Sequence, residues 1–387
     1  MINQIKYPSI IKISKSALQN NYNFMRTIFG DKVRISSVVK GNAYGHGIEE
    51  FVPLAEELGI DHFAVFSIDE AKRVFRSSIN HSDIMIMGMM GSEGIKWAVA
   101  KGVEFFVFSL NRLEKALLYA RELQKPAKIH LEVETGLNRT GFTRKQLHDV
   151  VSILLSNSDH FLIRGICTHY AGAESISNHY RIQKQIKRFK KHVKWLSNKG
   201  INAEILHTAC SAAAMTYPET RMDMVRIGIM QFGSWPSQET LIHYLRNVEN
   251  KKDPLRRVIS WKSYVMSVKD VTTGDFIGYG INYLAVDDMR IATVPVGYSQ
   301  GYSRSLSNQG HVLIRGQRIP VIGVVNMSLM IVNITLIPEI EEGDSVVLIG
   351  DQKDSTISVA SFQDFNNALN YELLTRLSES IPRMVSD

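Results

Sequence analysis

Cysteine is scarce. Cys167 and Cys210 are the only two in 387 residues, too few for a disulfide scaffold and without metal-ligand spacing. No Gly-X-Y repeat, Pro- or Ser-rich tract or low-complexity linker occurs, so a collagen-like or largely disordered chain is excluded. The opening residues, MINQIKYPSIIKISK, lack the apolar core and small-residue cleavage site of a signal peptide. Long apolar runs are missing too, apart from stretch 319–338, twenty residues without a charge. Pro320, Gly323, Asn326, Ser328, Asn333 and Thr335 interrupt it, and Val and Ile dominate the rest, so two strands about a turn describe it better than a membrane span. With 44% hydrophobic and 21% charged residues the chain reads as an ordinary soluble protein, expected in the cytoplasm.

Acidic residues are in slight deficit, 38 against 45 Lys plus Arg, giving a formal charge of +7. Seven basic residues and no acidic one lie between Arg181 and Lys194, enough to equal that excess. In the same segment Ile182, Ile186, Phe189, Val193 and Leu196 recur at helical spacing, so the basic side chains form the solvated face of an amphipathic helix. Without interleaved aromatics or a recognition motif, no nucleic-acid partner is expected.

What is present is a repeated grammar. Between residues 34 and 233, apolar runs at 34–40, 62–67, 83–88, 104–109, 128–135, 162–170, 203–209 and 224–233 alternate with segments of helical spacing that close near a Gly or Pro. Strands buried on both faces and separated by helices imply a parallel sheet, and eight such units imply a (β/α)8 TIM barrel. After about residue 240 the pattern becomes short strands between Gly, Asp and Ser turns, with a helical FQDFNNALNYELLTRLS only near the end. The predicted domains are a barrel over 1–240 and a mostly antiparallel β domain over 241–387. The IIKIS run precedes the barrel, and residues 1–14 can pair with it or with the C-terminal domain.

A barrel carries its chemistry at the C-terminal ends of its strands. The first run ends in Lys40, where burial lowers an amine's pKa and suits a nucleophile or Schiff base, though a lysine snorkelling at the rim fits as well. The fifth ends in Glu132, Glu134 and Thr135 ahead of Arg139, and the sixth in His169 and Tyr170. The seventh leads to Ser211 at a predicted helix start, an anion site or an ordinary N-cap. The eighth holds Arg226 and Gly228 in an apolar run, where a salt-bridged core arginine is the plainer alternative. Lys, Arg, His, Ser and Arg on one rim suit an anionic ligand with a carbonyl or aromatic part, and pyridoxal phosphate (PLP) has all of these.

The segment VVKGNAYGHG around Lys40 resembles the PLP-lysine motif of the alanine racemases. The likeness continues in order through ETGLNRTGF, THYAG, LHTACSA, VRIGIM, the GYG at 278–280, VGYSQGYSR and LNYE, nearly the whole chain. The resemblance implies that Lys40 holds PLP covalently and is the base acting on the D-enantiomer. It implies that Tyr279, delivered from a second subunit of a homodimer, is the opposite base for the L-enantiomer. Tyr44, Ser211, Gly228, Ile229 and Tyr371 would hold the phosphate, His169 would stack on the ring, and Arg226 would bond the pyridine nitrogen. Arg139 and the backbone N–H of Met327 would take the substrate carboxylate. No metal is implied. Racemisation needs a base on each face of a carbanion, which fits two flanking groups. On residue type alone, Tyr279 reads as an ordinary core tyrosine of the β domain, and the rest of the motif set is what assigns it the catalytic role.

The chain departs from the family near the substrate end. The family's carbamylated lysine is here Glu132, its cysteine–methionine–aspartate is Asn326–Met327–Ser328, its YADG or YSDG reads YSQG with Gln300, and a nearby arginine is Val324. A glutamate would supply Arg139 with a fixed anion, its pKa of about 4.3 lowered further by the cation. The alternative is a surface glutamate, and either Glu132 or Glu134 could simply cap the strand. The leading expectation is an L-alanine/D-alanine racemase; a serine or broad-specificity racemase, a barrel-type PLP decarboxylase and a non-catalytic PLP carrier are the alternatives. The carrier has no second domain, and the decarboxylase signatures are missing.

Overall fold

The computed structural model describes residues 7–359 and 370–387, without the side chains of residues 370 and 371. Contacts divide the chain into two compact units: residues 16–40 with 52–256, and residues 1–15 with 41–51 and 257–387.

The first unit is an eight-stranded parallel barrel. Its strands are β2 (Arg34–Val38), β3 (His62–Val65), β4 (Asp83–Ile86), β5 (Glu104–Val107), β6 (Ala127–Glu132), β7 (Phe161–Cys167), β8 (Ile205–His207) and β9 (Met224–Ile227). They follow one another around the ring in chain order, with β2 beside β9. Closure between β8 and β9 is made just beyond the strands, by a parallel bridge of Cys210 to Arg226 and by the Arg226 N–H donating to Ala209 O at 2.9 Å. Every residue of β3 and β5 is buried, as expected of strands enclosed by side chains within and helices without. Each of the eight strands is shorter than its apolar run; β2 stops at Val38, β6 at Glu132 and β7 at Cys167. One further ladder bond follows β2 and β6, Val39 N–H to Ala64 O and Val133 N–H to Cys167 O, and Lys40, Glu134, Thr135, His169 and Tyr170 lie beyond the strands.

Helices start and stop where local chemistry satisfies their ends. Ser67 and Glu70 form a reciprocal capping box on the helix Ile68–Ser77, and Gly102, with φ 68°, closes the helix Ser92–Lys101. In the basic helix His179–Asn198, Ile182, Ile186, Phe189 and Leu196 are buried and all seven cationic residues are exposed. Two of those cations also do local work: Arg181 donates to Gly136 O, and Arg188 to Thr135 O, which ties down the loop after β6.

The second unit is built on one sheet. The first strand, β1 (Ile10–Ser14), is joined by β10 (Ile259–Tyr264), β11 (Ser267–Val271), β12 (Met289–Val294), β13 (His311–Ile314), β14 (Gln317–Ile322), β15 (Met330–Asn333), β16 (Ser345–Gln352), β17 (Ser355–Ile357) and β18 (Arg383–Ser386). Its order is β11-β12-β15-β14-β13-β16-β10-β1-β18, with β17 on β16; β1 runs antiparallel to β10 and parallel to β18. The core gathers Ile11, Trp261, Tyr302, Val312 and Leu348, all buried. The charge-free stretch becomes β14 and β15, paired through Val321–Val332 and Ile322–Ile331. Among the described residues, no helix is long and apolar enough to cross a membrane. Of the predicted C-terminal helix, Asn370–Thr375 is helical, and residues 362–369 lie outside the described residues.

Candidate active site

Lys40 ends the first barrel run, two residues past β2, and the backbone then turns left-handed. Gly41, Asn42, Ala43 and Tyr44 have φ between 51° and 62°. For the three that carry a Cβ this costs about 1–2 kcal/mol each, strain of the kind that is held at functional sites. The turn is tied by its own polar groups: His46 Nδ1–H donates to Ala43 O at 2.9 Å and to Tyr44 O at 3.1 Å, and Asn42 Oδ1 accepts the Ile48 N–H. The histidine of the GHG motif is thus a brace. Packing around the Lys40 amine, then the positive charge of Arg139, lowers its pKa below that of an ordinary lysine.

Arg226 on β9 is almost completely buried, and it has no carboxylate partner among the described residues. Its terminal nitrogens donate instead to His207 Nδ1 (2.6 Å), His207 O (3.0 Å), Thr168 O (2.8 Å) and Thr208 O (3.1 Å), with His169 Nδ1 at 3.5 Å. A guanidinium has five N–H donors, so Nε–H is the one left without a protein acceptor among the described residues. The salt-bridged core arginine is therefore excluded. His169 is half-buried, and burial with the charges of Arg226, Arg139 and Lys40 lowers its pKa to about 3, so its ring is neutral.

Ser211 is the first residue of the short helix Ser211–Thr216, whose N-cap residue is Cys210, so the ordinary N-cap reading fails. Its Oγ accepts the Gly228 N–H at 3.1 Å, joining the ends of β8 and β9 and leaving the hydroxyl proton for another acceptor. Gly228 and Ile229 open a 3₁₀ turn directly after β9, both buried.

Glu132 and Glu134 divide as the strand alternation allows. Glu134 caps the loop, accepting from the Gly136 and Asn138 N–H groups. Glu132 is 4% exposed, which rules out a surface residue, and its Oε2 has no hydrogen-bond partner. Its expected pKa depression is not found. Burial raises it, and Thr140, Arg226 and Arg139 only partly offset that cost. Arg139 itself is exposed.

The second unit holds the remaining residues. Tyr279 sits in the loop spanned by the Phe276–Leu284 bridge, between Gly278 (φ 77°) and Gly280 (φ 68°), conformations that favour glycine on either side. At 73% exposure it is no core tyrosine. Met327 is exposed; its carbonyl accepts from Ser299, and its N–H has no acceptor among the described residues. Gln300 caps its own turn by accepting the Gly297 N–H. Val324 is buried. Tyr371 lies in the helix Asn370–Thr375, but its side chain is outside the described residues.

Two contributors were missed by sequence reasoning. Gln185, on the buried stripe of the basic helix, accepts the Ala171 N–H and donates to His169 O and Thr135 Oγ1, linking the loops after β6 and β7. His207, the direct partner of Arg226, is fully buried. The signal for both was a polar residue at an inward position of an apolar pattern. Among the described residues no cluster could hold a metal ion. The donor set of the barrel rim fits PLP: an amine of lowered pKa, a neutral ring, a spare guanidinium N–H, a spare hydroxyl, and cations to balance a phosphate.

Models of the alanine racemase N-terminal and C-terminal domains match residues 13–236 and 258–385. The chain is 35% identical over 381 residues to alanine racemase of Leptospira interrogans, covering 98% of this chain and 96% of that one. Among solved structures, alanine racemase of Clostridium difficile 630 superposes with a TM-score of 0.90 at 28% identity, covering 99% and 97% of the two chains. The Bartonella henselae alanine racemase with covalently bound pyridoxal phosphate shares the fold, with a TM-score of 0.81 at 23% identity over 98% and 99%. Matched along nearly its whole length by sequence and by fold, this chain belongs to the alanine racemase family.

Proposed function

We propose that the protein interconverts L-alanine and D-alanine with PLP held by the barrel rim, as a cytoplasmic homodimer with shared sites. The reading rests on family membership and above all on one observation: an amine of lowered pKa, Lys40, near Arg139, with no carboxylate among the described residues in a salt bridge to Arg139 or Arg226. PLP, when bound, supplies the electron sink that acidifies the α-proton of an amino acid.

The chain's own residues do the rest. Lys40 Nζ is the covalent anchor and carries the proton on one face of the substrate; a pKa below that of an ordinary lysine favours the neutral amine that can accept it. Tyr279 Oη, on an exposed loop of residues 241–387, is the opposite base, delivered from the partner subunit. The Nε–H of Arg226 would face the pyridine nitrogen; because a guanidinium does not give up its proton, it would donate a hydrogen bond there without protonating that nitrogen. The Ser211 hydroxyl, Tyr44, Tyr371 and the backbone at Gly228 and Ile229 hold the phosphate, and the neutral His169 ring packs on the cofactor. Arg139 and the Met327 N–H orient the carboxylate.

The test is a racemisation assay with added PLP across alanine, serine and larger amino acids. Alanine is expected to turn over with the highest kcat/KM. A serine preference would move the assignment to a serine racemase and point to the polar residues Asn326, Ser328 and Gln300, and decarboxylation or no turnover would overturn it.

A further inference from the structure

Beneath the rim, a hydrogen-bonded chain crosses the barrel interior. Arg226 Nη1 lies 2.6 Å from His207 Nδ1, His207 Nε2 lies 2.9 Å from His130 Nδ1, and His130 Nε2 lies 2.7 Å from Glu104 Oε2. Glu104 also accepts from Arg164 Nε on Oε1 at 2.6 Å, and His62 Nε2 lies 3.4 Å from Oε2. His62, His130 and His207 have no exposed surface, and Glu104 has 1%. The chain joins β9, β8, β6 and β5, residues far apart in sequence.

Its polarity is dictated at both ends. A guanidinium can only donate, so His207 Nδ1 must accept and its proton sits on Nε2. That N–H donates to His130 Nδ1, which places the His130 proton on Nε2, donating to a carboxylate that can only accept. Burial lowers the pKa of both imidazoles, so each is neutral. Burial alone would raise the Glu104 carboxyl, but the hydrogen bonds from His130 and His62 hold it well below the usual range. The backbone is shaped around the chain as well: a Cβ on Gly165 would stand 2.2 Å from His130 Nδ1 and 2.9 Å from His207 Nε2.

We propose that Glu104 is a positioning residue for Arg226, acting through His130 and His207 by fixing both imidazoles as Nε2–H tautomers. Reversal at His207 would set N–H against N–H at Arg226, and reversal at His130 would set N–H against N–H at His207 and press it to reverse in turn, so either would turn the Arg226 Nε–H away from the cofactor. The use assigned to Arg226 rests on the reading above; the tautomers do not.

Histidine-selective 15N NMR on the full-length protein without PLP tests the tautomers directly. His130 and His207 are expected neutral with the proton on Nε2; an Nδ1–H or doubly protonated ring at either position overturns the proposal. Glu104→Gln has one oxygen for two demands, Arg164 on one side and the imidazoles on the other. It should perturb the His207 tautomer and weaken PLP binding, read by absorbance titration, roughly tenfold. Removing the competing donor in Glu104→Gln/Arg164→Met frees the amide oxygen and should restore both readouts, a rescue that a purely structural role would not produce. That variant also leaves no unpaired buried charge, so it remains informative if the single variant does not fold. Unchanged tautomers and affinity in Glu104→Gln, or no rescue in a folded double variant, refute the proposal. Correct tautomers in a protein that never binds PLP would instead sink the cofactor reading alone.

Discussion

Replacing Gly165 by alanine probes the packing that the imidazole chain demands. Gly165 lies on β7, opposite His130 of β6 and Ile205 of β8. The new Cβ would stand 2.2 Å from His130 Nδ1 and 3.0 Å from its Cε1, where comfortable contact needs about 3.5–4.0 Å. The ring must therefore move by more than about 1 Å, yet it is held at 2.9 Å by His207 and at 2.7 Å by Glu104. Movement strands at least one buried polar partner, about 1–3 kcal/mol, in addition to about 1–3 kcal/mol of overpacking. The expected loss is about 2–6 kcal/mol, a large share of the ~5–15 kcal/mol that a folded protein typically has. Gly94→Ala supplies the opposite sign. It lies in the helix Ser92–Lys101, where the atoms nearest to a Cβ would be those of Ile68 at 3.4 and 3.5 Å and Met90 at 3.7 Å, ordinary contact. Alanine is the better helix former there by about 1 kcal/mol, so that variant should gain roughly 0.5–1 kcal/mol. Urea unfolding followed by circular dichroism measures both. A Gly165→Ala protein within about 1 kcal/mol of its parent would show that the rings shift freely, and the packing argument would fail.

Three further outcomes are expected. Borohydride reduction in the presence of PLP should fix the cofactor on Lys40, and Lys40→Ala should lose both the adduct and turnover; an adduct mapped to another lysine would be the contrary result. For Glu132, the folded-state pKa is raised by burial, so its ionisation costs stability that is absent below the unfolded pKa and fully felt above the folded one. Glu132→Gln should thus be the more stable protein near neutral pH and lose that advantage in acid, while its Michaelis constant for alanine rises and added bicarbonate leaves the parent's activity unchanged. A Michaelis constant equal to the parent's would remove Glu132 from the substrate side. Finally, co-expressing Lys40→Ala and Tyr279→Phe chains should restore some activity through hybrid dimers with one intact site; hybrids shown to form yet inactive would refute the shared site.

The alternation of strands and helices was legible because it is local. Apolar runs such as Glu104–Val107 must be covered on both faces, and helices such as Ile68–Ser77 announce themselves through a capping box four residues long. The charge-free stretch was resolved by its polar, Pro and Gly interruptions and its Val and Ile content, and the basic segment by the spacing of its apolar stripe. Motifs around Lys40, Arg139, His169, Ser211 and Arg226 named candidate site residues for the same reason: each motif is a contiguous segment at or near one strand end.

The sequence by itself determined a barrel, a β domain and the chemistry of the rim, because periodicity and strand-end residues need only near neighbours. It could not show that Glu104, His130, His207 and Arg226 form one chain, since each lies on a different strand and their meeting depends on the ring being closed. Nor could it give the sign of the Glu132 shift. An adjacent arginine argues for a lower pKa, but 4% exposure inside the barrel makes desolvation the larger effect, and burial is a property of the assembled fold. The left-handed run from Gly41 to Tyr44 belongs with these: Ala and Tyr do not favour that conformation alone, and the hydrogen bonds made by His46 and Asn42 brace it.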